Sequence, residues 1–117
     1  MVGTLGLAEG IGVVTARQRL PNRRLAETFA LECGGLSYVC TVGRFPDGRT
    51  AEVFLTNHRA GSDAGAAASD SAVVCSIALQ YGVPVEVIRK ALMRDSRGQA
   101  RTPLAAALDR ITDEGAP

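Results

Sequence analysis

The stretch that decides the fold is residues 26–57, AETFALECGGLSYVCTVGRFPDGRTAEVFLTN. Its first part alternates with a period of two: Phe29, Leu31 and Cys33 fall on one side, Thr28, Ala30 and Glu32 on the other, as a half-buried strand requires. Gly34 and Gly35 follow, and paired glycines supply the positive φ angles of a tight hairpin turn. If those two residues form the loop, Cys33 faces Leu36, Leu31 faces Tyr38 and Phe29 faces Cys40. A second reversal is signalled by Pro46, Asp47 and Gly48 before TAEVFLTN. A loop centred on Asp47-Gly48 sets Val42 opposite Val53 and Cys40 opposite Leu55, which keeps one face apolar. A bulged three-residue turn would shift the pairing by one and bring Phe54 inward. The first register is the expected one. Its opposite face still carries Ala30, Val39 and Phe54, too apolar to be left to water, so the back of the sheet is expected to meet the N-terminal arm or a second subunit.

Beyond the meander the period changes. Residues 63–81 read as one alanine-rich helix about 28 Å long, with Ala67, Val74, Ile77, Ala78 and Tyr81 on a common stripe and Gly82 as its stop. Pro84 suits the first turn of a second helix, PVEVIRKALMR, and Thr102-Pro103 opens a third, where Leu104, Ala107, Leu108 and Ile111 share a face. The expected architecture is α+β: a three-stranded antiparallel meander followed by three helices (βββααα), the helices packed on one sheet face. Residues 1–24 lack a clear period and end in RQRLPNRR. They are read as a flexible basic arm, and residues 25–117 as a single domain.

The totals agree with one compact unit: 117 residues, 46% hydrophobic and 21% charged, with 13 glycines and no tryptophan. No run reaches the roughly 20 apolar residues needed to cross a bilayer, so no membrane role and a cytoplasmic location are expected. The formal net charge is only +1, which gives the whole molecule no strong field toward a polyanion. Three cysteines, in no CxxC spacing, point to reduced, mostly buried thiols and not to a disulfide framework or a zinc site. No cofactor and no metal are expected.

Two places carry candidate chemistry. In NHRAGSDAG, residues 57–65, a helix start exposes unpaired N–H groups, and His58, Arg59, Gly61 and Ser62 are candidates for holding a phosphate or nucleotide. The simpler use of the same residues is punctuation: Gly61 turns the chain, Ser62 caps the helix, Asp63 complements its dipole and Gly65 lets it approach the sheet. The capping use is the commoner one for such residues. A catalytic role for His58 would need an orienting partner and a nucleophile, and none is near in sequence, so no catalytic residue is assigned. Asp70 is expected near the helix stripe, in a structural ion pair with an arginine. The second place is the arm, where Arg17, Arg19, Arg23 and Arg24 are candidates for contact with a partner or an anion. Without interleaved aromatics, nucleic acid is the weaker partner for them.

The ordered string RLPNRRLAETFALECGGLSYVCTVGRFPDGRTAEVFLTNHRAGSDAGAAASDSAVVCSIALQYGVP resembles the TSCPD-type domain, and the resemblance covers about residues 18–95, most of the chain. That domain is found near the C-terminus of cobalamin-dependent ribonucleotide reductases and as short stand-alone proteins in bacteria. The resemblance rests on LPNRR, the paired glycines, GRFPDG, EVFL, GSDA and LQYGVP. It implies the scaffold, with an accessory part in nucleotide metabolism through the Arg19 to Arg24 segment and the strand-to-helix junction. The Thr-Ser-Cys-Pro-Asp string that names the family is missing, as are paired C-terminal cysteines, so it implies no metal site or electron relay. The resulting expectation is a small non-catalytic accessory or binding domain, homo-oligomeric, that contacts a ribonucleotide reductase subunit or a nucleotide. The alternatives are a reductase-associated or nucleotide-processing enzyme using His58, Arg59 and Asp63, and a nucleic-acid-binding protein using the arm.

Overall fold

A computed structural model describes residues 16–59 and 61–114. The first fifteen residues of the expected arm 1–24, and 115–117 at the end of the expected domain, lie outside the described residues. Three strands come first, β1 (Ala26–Cys33), β2 (Leu36–Arg44) and β3 (Thr50–Asn57), followed by α1 (Asp63–Gln80), α2 (Val85–Ala91) and α3 (Pro103–Glu114). The sheet is antiparallel in the order β1-β2-β3. The βββααα arrangement expected from the sequence is the observed one.

At the first reversal Gly34 and Gly35 have φ of 60° and 79°, and the register pairs Cys33 with Leu36, Leu31 with Tyr38 and Phe29 with Cys40. At the second, the body of the ladder has the expected register, Val42 against Val53 and Cys40 against Leu55. The turn itself does not. Phe45 N–H donates to the Arg49 carbonyl at 2.9 Å, so Pro46, Asp47 and Gly48 form a three-residue loop with Gly48 at φ 94°. The one-residue offset this creates is cancelled by an irregularity between Gly43 and Arg44: Gly43 pairs with Glu52 but Arg44 pairs with Thr50. Ala51 is the extra residue, and it keeps Phe54 on the outer face despite the longer turn.

The inner face of the sheet contributes Leu31, Tyr38, Cys40, Val42, Val53 and Leu55 to one buried cluster with Ala68, Ala72, Cys75 and Leu79 of α1 and Leu104, Ala107, Leu108 and Ile111 of α3. The apolar face predicted for the third helix is therefore the buried one, and Thr102 caps it by accepting from Ala105 N–H at 3.2 Å. Under β1, the Arg110 guanidinium stacks on the Phe29 ring at 4.6 Å.

The rotation of α1 corrects the sequence reading. Its buried residues are Ala68, Ala72, Cys75, Ser76, Leu79 and Gln80, whereas Ala67, Val74, Ile77 and Tyr81 of the expected stripe are exposed, as is Asp70. The reason lies in β3, an edge strand along which α1 runs. The Ser76 hydroxyl bonds both Val53 N–H and Val53 C=O, and the Gln80 amide donates to the Ala51 carbonyl at 3.1 Å. An edge covered in this way needs small and polar side chains at close range, so they face inward and the larger valines and isoleucine turn out. The second helix is shorter than expected. It stops at Ala91, and the chain then doubles back through an antiparallel bridge between Arg94 and Ala100, with Gly98 at φ 80°.

Candidate functional site

The junction between β3 and α1 is built by capping. His58 N–H donates to the Ser37 carbonyl at 3.1 Å, which extends the β2–β3 ladder past Asn57. Asn57 Oδ1 accepts from Arg59 N–H at 2.7 Å, and Ser62 Oγ accepts from Gly65 N–H at 3.0 Å while donating to Asn57 Oδ1 at 3.5 Å. Gly61 takes φ 77°. A Cβ on Gly65 would stand 2.9 Å from both Asn57 Cβ and Ser62 Oγ, so glycine allows the helix to start this close to the strand. The punctuation use of these residues is thus the observed one.

Three of the four junction candidates nevertheless surround one cleft. A hollow of about 380 Å³ is lined by His58, Arg59 and Ser62 together with Ser37, Leu36 and Gly35 from the β1–β2 turn. Ser37 and Leu36 escaped the sequence reading. Their signal was the register itself, because pairing Tyr38 with Asn57 carries Ser37 alongside His58. The side chains of His58 and Arg59 are exposed, and no hydrogen bond links the His58 ring to a hydroxyl or carboxylate among the described residues. The cleft offers a cation, an imidazole and the Ser37 hydroxyl to an anion from solvent.

The arginines of the arm do not join that cleft. Arg17 Nε donates to Gln80 Oε1 at 2.5 Å, and Gln18 N–H donates to the Gln80 carbonyl at 2.8 Å. This anchors the segment at the C-terminal end of α1, about 27 Å of helix away from Ser62 by the usual rise per residue. Arg24 bonds Glu52 Oε2 at 2.6 Å through Nε and the Pro21 carbonyl at 2.7 Å through Nη1. Glu52 is a carboxylate only 7% exposed, lying across Gly43 of the neighbouring strand. Arg24 and Arg17 thus hold the fold together, while Arg19 and Arg23 present exposed side chains.

Asp109 and the two buried thiols have structural settings. Asp109 is held by Arg94 at 2.6 Å and Arg89 at 3.3 Å, which ties α3 to α2 and the loop after it. The hydrogen bond from Arg94 does most to keep its carboxyl below the usual carboxylate range; burial opposes it, and the hydrogen bond from Arg89 adds to the lowering. Burial pushes the Cys40 thiol up to about 12, with Cys75 beside it adding to the shift, and burial alone pushes Cys75 up to about 11. Such thiols stay protonated and are poor nucleophiles. Among the described residues no group of three or more His, Cys, Asp or Glu side chains is placed to hold a metal, and no helix is long and apolar enough to cross a membrane.

The family model for the TSCPD domain matches residues 8–113. The chain belongs to that family. Among curated proteins, it is similar to vitamin B12-dependent ribonucleotide reductases. The one from Rhodopirellula baltica is 42% identical over 72 residues, covering 62% of this chain and 7% of the relative. The one from Agrobacterium fabrum is 40% identical over 70 residues, 60% of this chain and 6% of the relative. The one from Bradyrhizobium diazoefficiens is 34% identical over 80 residues, 68% of this chain and 6% of the relative. The shared part is thus under a tenth of each of these reductases. No solved structure matches the chain. Both candidate regions, the arginine segment and the strand-to-helix junction, fall inside the span of the TSCPD match.

Proposed function

We propose that this chain is an accessory domain in ribonucleotide reduction, working by contact and not by carrying out the reduction. The observation that carries the reading is the match itself. A segment that accounts for 6–7% of the reductases it resembles is their appendage, and a reaction of that kind needs a far larger catalytic body. Its natural partners on this reading are a reductase subunit and a nucleotide, and its setting is the cytoplasm, which suits three free cysteines.

The cleft between the β1–β2 turn and the start of α1 is the place assigned to the nucleotide. His58 and Arg59 meet a phosphate there from the solvent side, with the Ser37 hydroxyl as a further donor. The exposed Arg19 and Arg23 are assigned to the protein partner. The test is a titration with nucleoside di- and triphosphates followed by amide NMR. Shifts centred on Ser37, His58 and Arg59, lost in Arg59→Ala, support the assignment; unmoved amides up to millimolar nucleotide overturn it. For the protein contact, co-purification with a vitamin B12-dependent reductase should be lost when Arg19 and Arg23 are both changed to Glu. Co-purification retained by the double variant removes the two arginines from the interface, and its absence with the unaltered chain removes the partner.

A further inference from the structure

We propose that the hollow at the C-terminal end of α1 is a second ligand site, fitted to an organic anion built on a ring whose far edge carries an N–H donor. It lies at the other end of α1 from the cleft beside His58, and it does not rest on the accessory role.

The first observation is what the hollow is made of. It encloses about 370 Å³ between the β2–β3 turn, the connection from α1 to α2 and the end of α3, and its lining includes Arg44, Arg49, Leu79, Val85, Glu86 and Ile111. Small-ligand sites hold roughly 300–1,000 Å³ and set a few charged groups around an apolar surface. Leu79 and Ile111 are only 3% and 5% exposed, and Val85 packs against the cluster they belong to, so the floor is aliphatic and fixed by the core. The charges stand around it. The cleft beside His58 has no buried aliphatic residue in its lining, and the hollow lined by Ala67, Leu92 and Leu104 has no charged one.

The second observation is how those charges are held. Arg49 Nε donates to Asp47 Oδ2 at 2.7 Å, Nη2 donates to Gln18 Oε1 at 3.2 Å, and the guanidinium lies over the Phe45 ring at 4.7 Å. Three contacts fix the fork, while Nη1 has no hydrogen-bond partner among the described residues. Arg44 donates to the Gly48 carbonyl through Nη1 and to Glu27 through Nη2. Glu27 and Asp47 are 65% and 56% exposed, so water screens their hold on the two guanidinium groups. An anion lying over an aliphatic floor is screened less. On the helical side, Glu86 accepts both bonds from Arg89 on Oε1, which leaves Oε2 as an acceptor. The complement of this lining is an anion at one end of a flat apolar body and an N–H donor at the other. A phosphate carried by a nucleobase and a carboxylate on an aminated ring share that chemistry.

The experiment is an amide NMR titration of the full chain to millimolar concentration with guanosine monophosphate and, separately, para-aminobenzoate; inorganic phosphate and benzoate are the controls. Saturable shifts at Arg49, Thr50, Val83 and Glu86 with the first compound make the ligand a nucleotide, and with the second an aromatic acid. Either supports the site. Arg49→Ala should weaken binding roughly tenfold to a hundredfold, as loss of a charge-assisted hydrogen bond does, and Glu86→Ala should abolish the preference for para-aminobenzoate over benzoate. Circular dichroism verifies the fold of each variant; if Arg49→Ala fails to fold, the shift map of the unaltered chain and Glu86→Ala decide. Three results overturn the proposal. They are amides unmoved by both compounds, shifts confined to Ser37 and His58, and inorganic phosphate binding as well as guanosine monophosphate, which would mean an adventitious ion only.

Discussion

The hydroxyl of Ser76 is bonded to both backbone polar groups of Val53, accepting from the N–H at 2.8 Å and donating to the carbonyl at 3.0 Å. A helix side chain here stands in for the strand that β3 lacks on its open side. Both residues are buried, so water cannot replace the hydroxyl without opening the core. Ser76→Ala should therefore destabilise the fold by about 1–3 kcal/mol, the usual result of leaving buried polar groups unpaired. Urea denaturation is the measurement, and a loss within a few tenths of a kcal/mol would mean that the helix does not satisfy this edge. Ser76→Thr should do less harm, since it keeps the hydroxyl and adds one methyl group.

Gly43 has a different task. A Cβ built there would lie 2.3 Å from Glu52 Oε2 and 2.6 Å from Glu52 Cγ. Gly43→Ala must push the glutamate off the strand, and the glutamate is the partner of Arg24. The expected loss is about 1–3 kcal/mol, as for other overpacked sites. Shortening the acid should relieve it. In a double-mutant cycle with Glu52→Ala the second substitution should cost clearly less in the Gly43→Ala background than alone. Simple additivity would show that the two positions do not press on each other.

How far the molecule was legible in its sequence depends on whether the information is local. Gly34-Gly35 and the alternation around Phe29, Leu31 and Cys33 are local, and they led to the right register. Asp47-Gly48 pointed to the right pairing through the wrong turn, because the bulge at Ala51 that restores the register leaves no mark in a window of a few residues. The existence of α1 was plain, but its rotation was not. Alanine, valine and cysteine surround the helix, so apolar periodicity could not say which side is buried. The choice was made by the bonding needs of Val53 and Ala51, on another element. At the candidate site, the Ser62 cap was readable from its spacing to Gly65. The pairing of Arg24 with Glu52, across 28 positions, was not, and four neighbouring arginines in sequence therefore looked like one patch when two of them are tied into the fold.

Asp109 sets a pH dependence whose sign follows from its lowered pKa. Hydrogen bonds from Arg94 and then Arg89 favour the charged carboxylate in the folded chain. Above the ordinary aspartate value, about 3.9, the carboxylate is ionised in folded and unfolded chains alike, and the full stabilisation is present. As the pH falls from there through the lowered folded value, the unfolded chain takes up the proton first and the stabilisation is lost. Asp109→Asn should lower stability at pH 7 and flatten the acid limb below about pH 4. Urea midpoints for the two proteins at neutral and acid pH check this. Equal losses at both ends would show that the ion pairs with α2 and its loop do not titrate with folding.

The thiols divide by burial. Cys40 and Cys75 are buried with pKa values pushed up to about 12 and about 11, while Cys33, at the end of β1, is only half-buried and raised less. Thiol reagents attack the thiolate, so at pH 8 both accessibility and ionisation favour Cys33. A chromogenic disulfide added to the native protein should react with one thiol promptly and with the other two only as the chain opens, and guanidinium should release all three together. The Cys33→Ser variant should lose the prompt phase and keep the slow one. A prompt phase surviving in Cys33→Ser would mean that α1 lifts from the sheet readily enough to expose Cys75, and the tight covering of β3 by Ser76 and Gln80 would have to be given up with it.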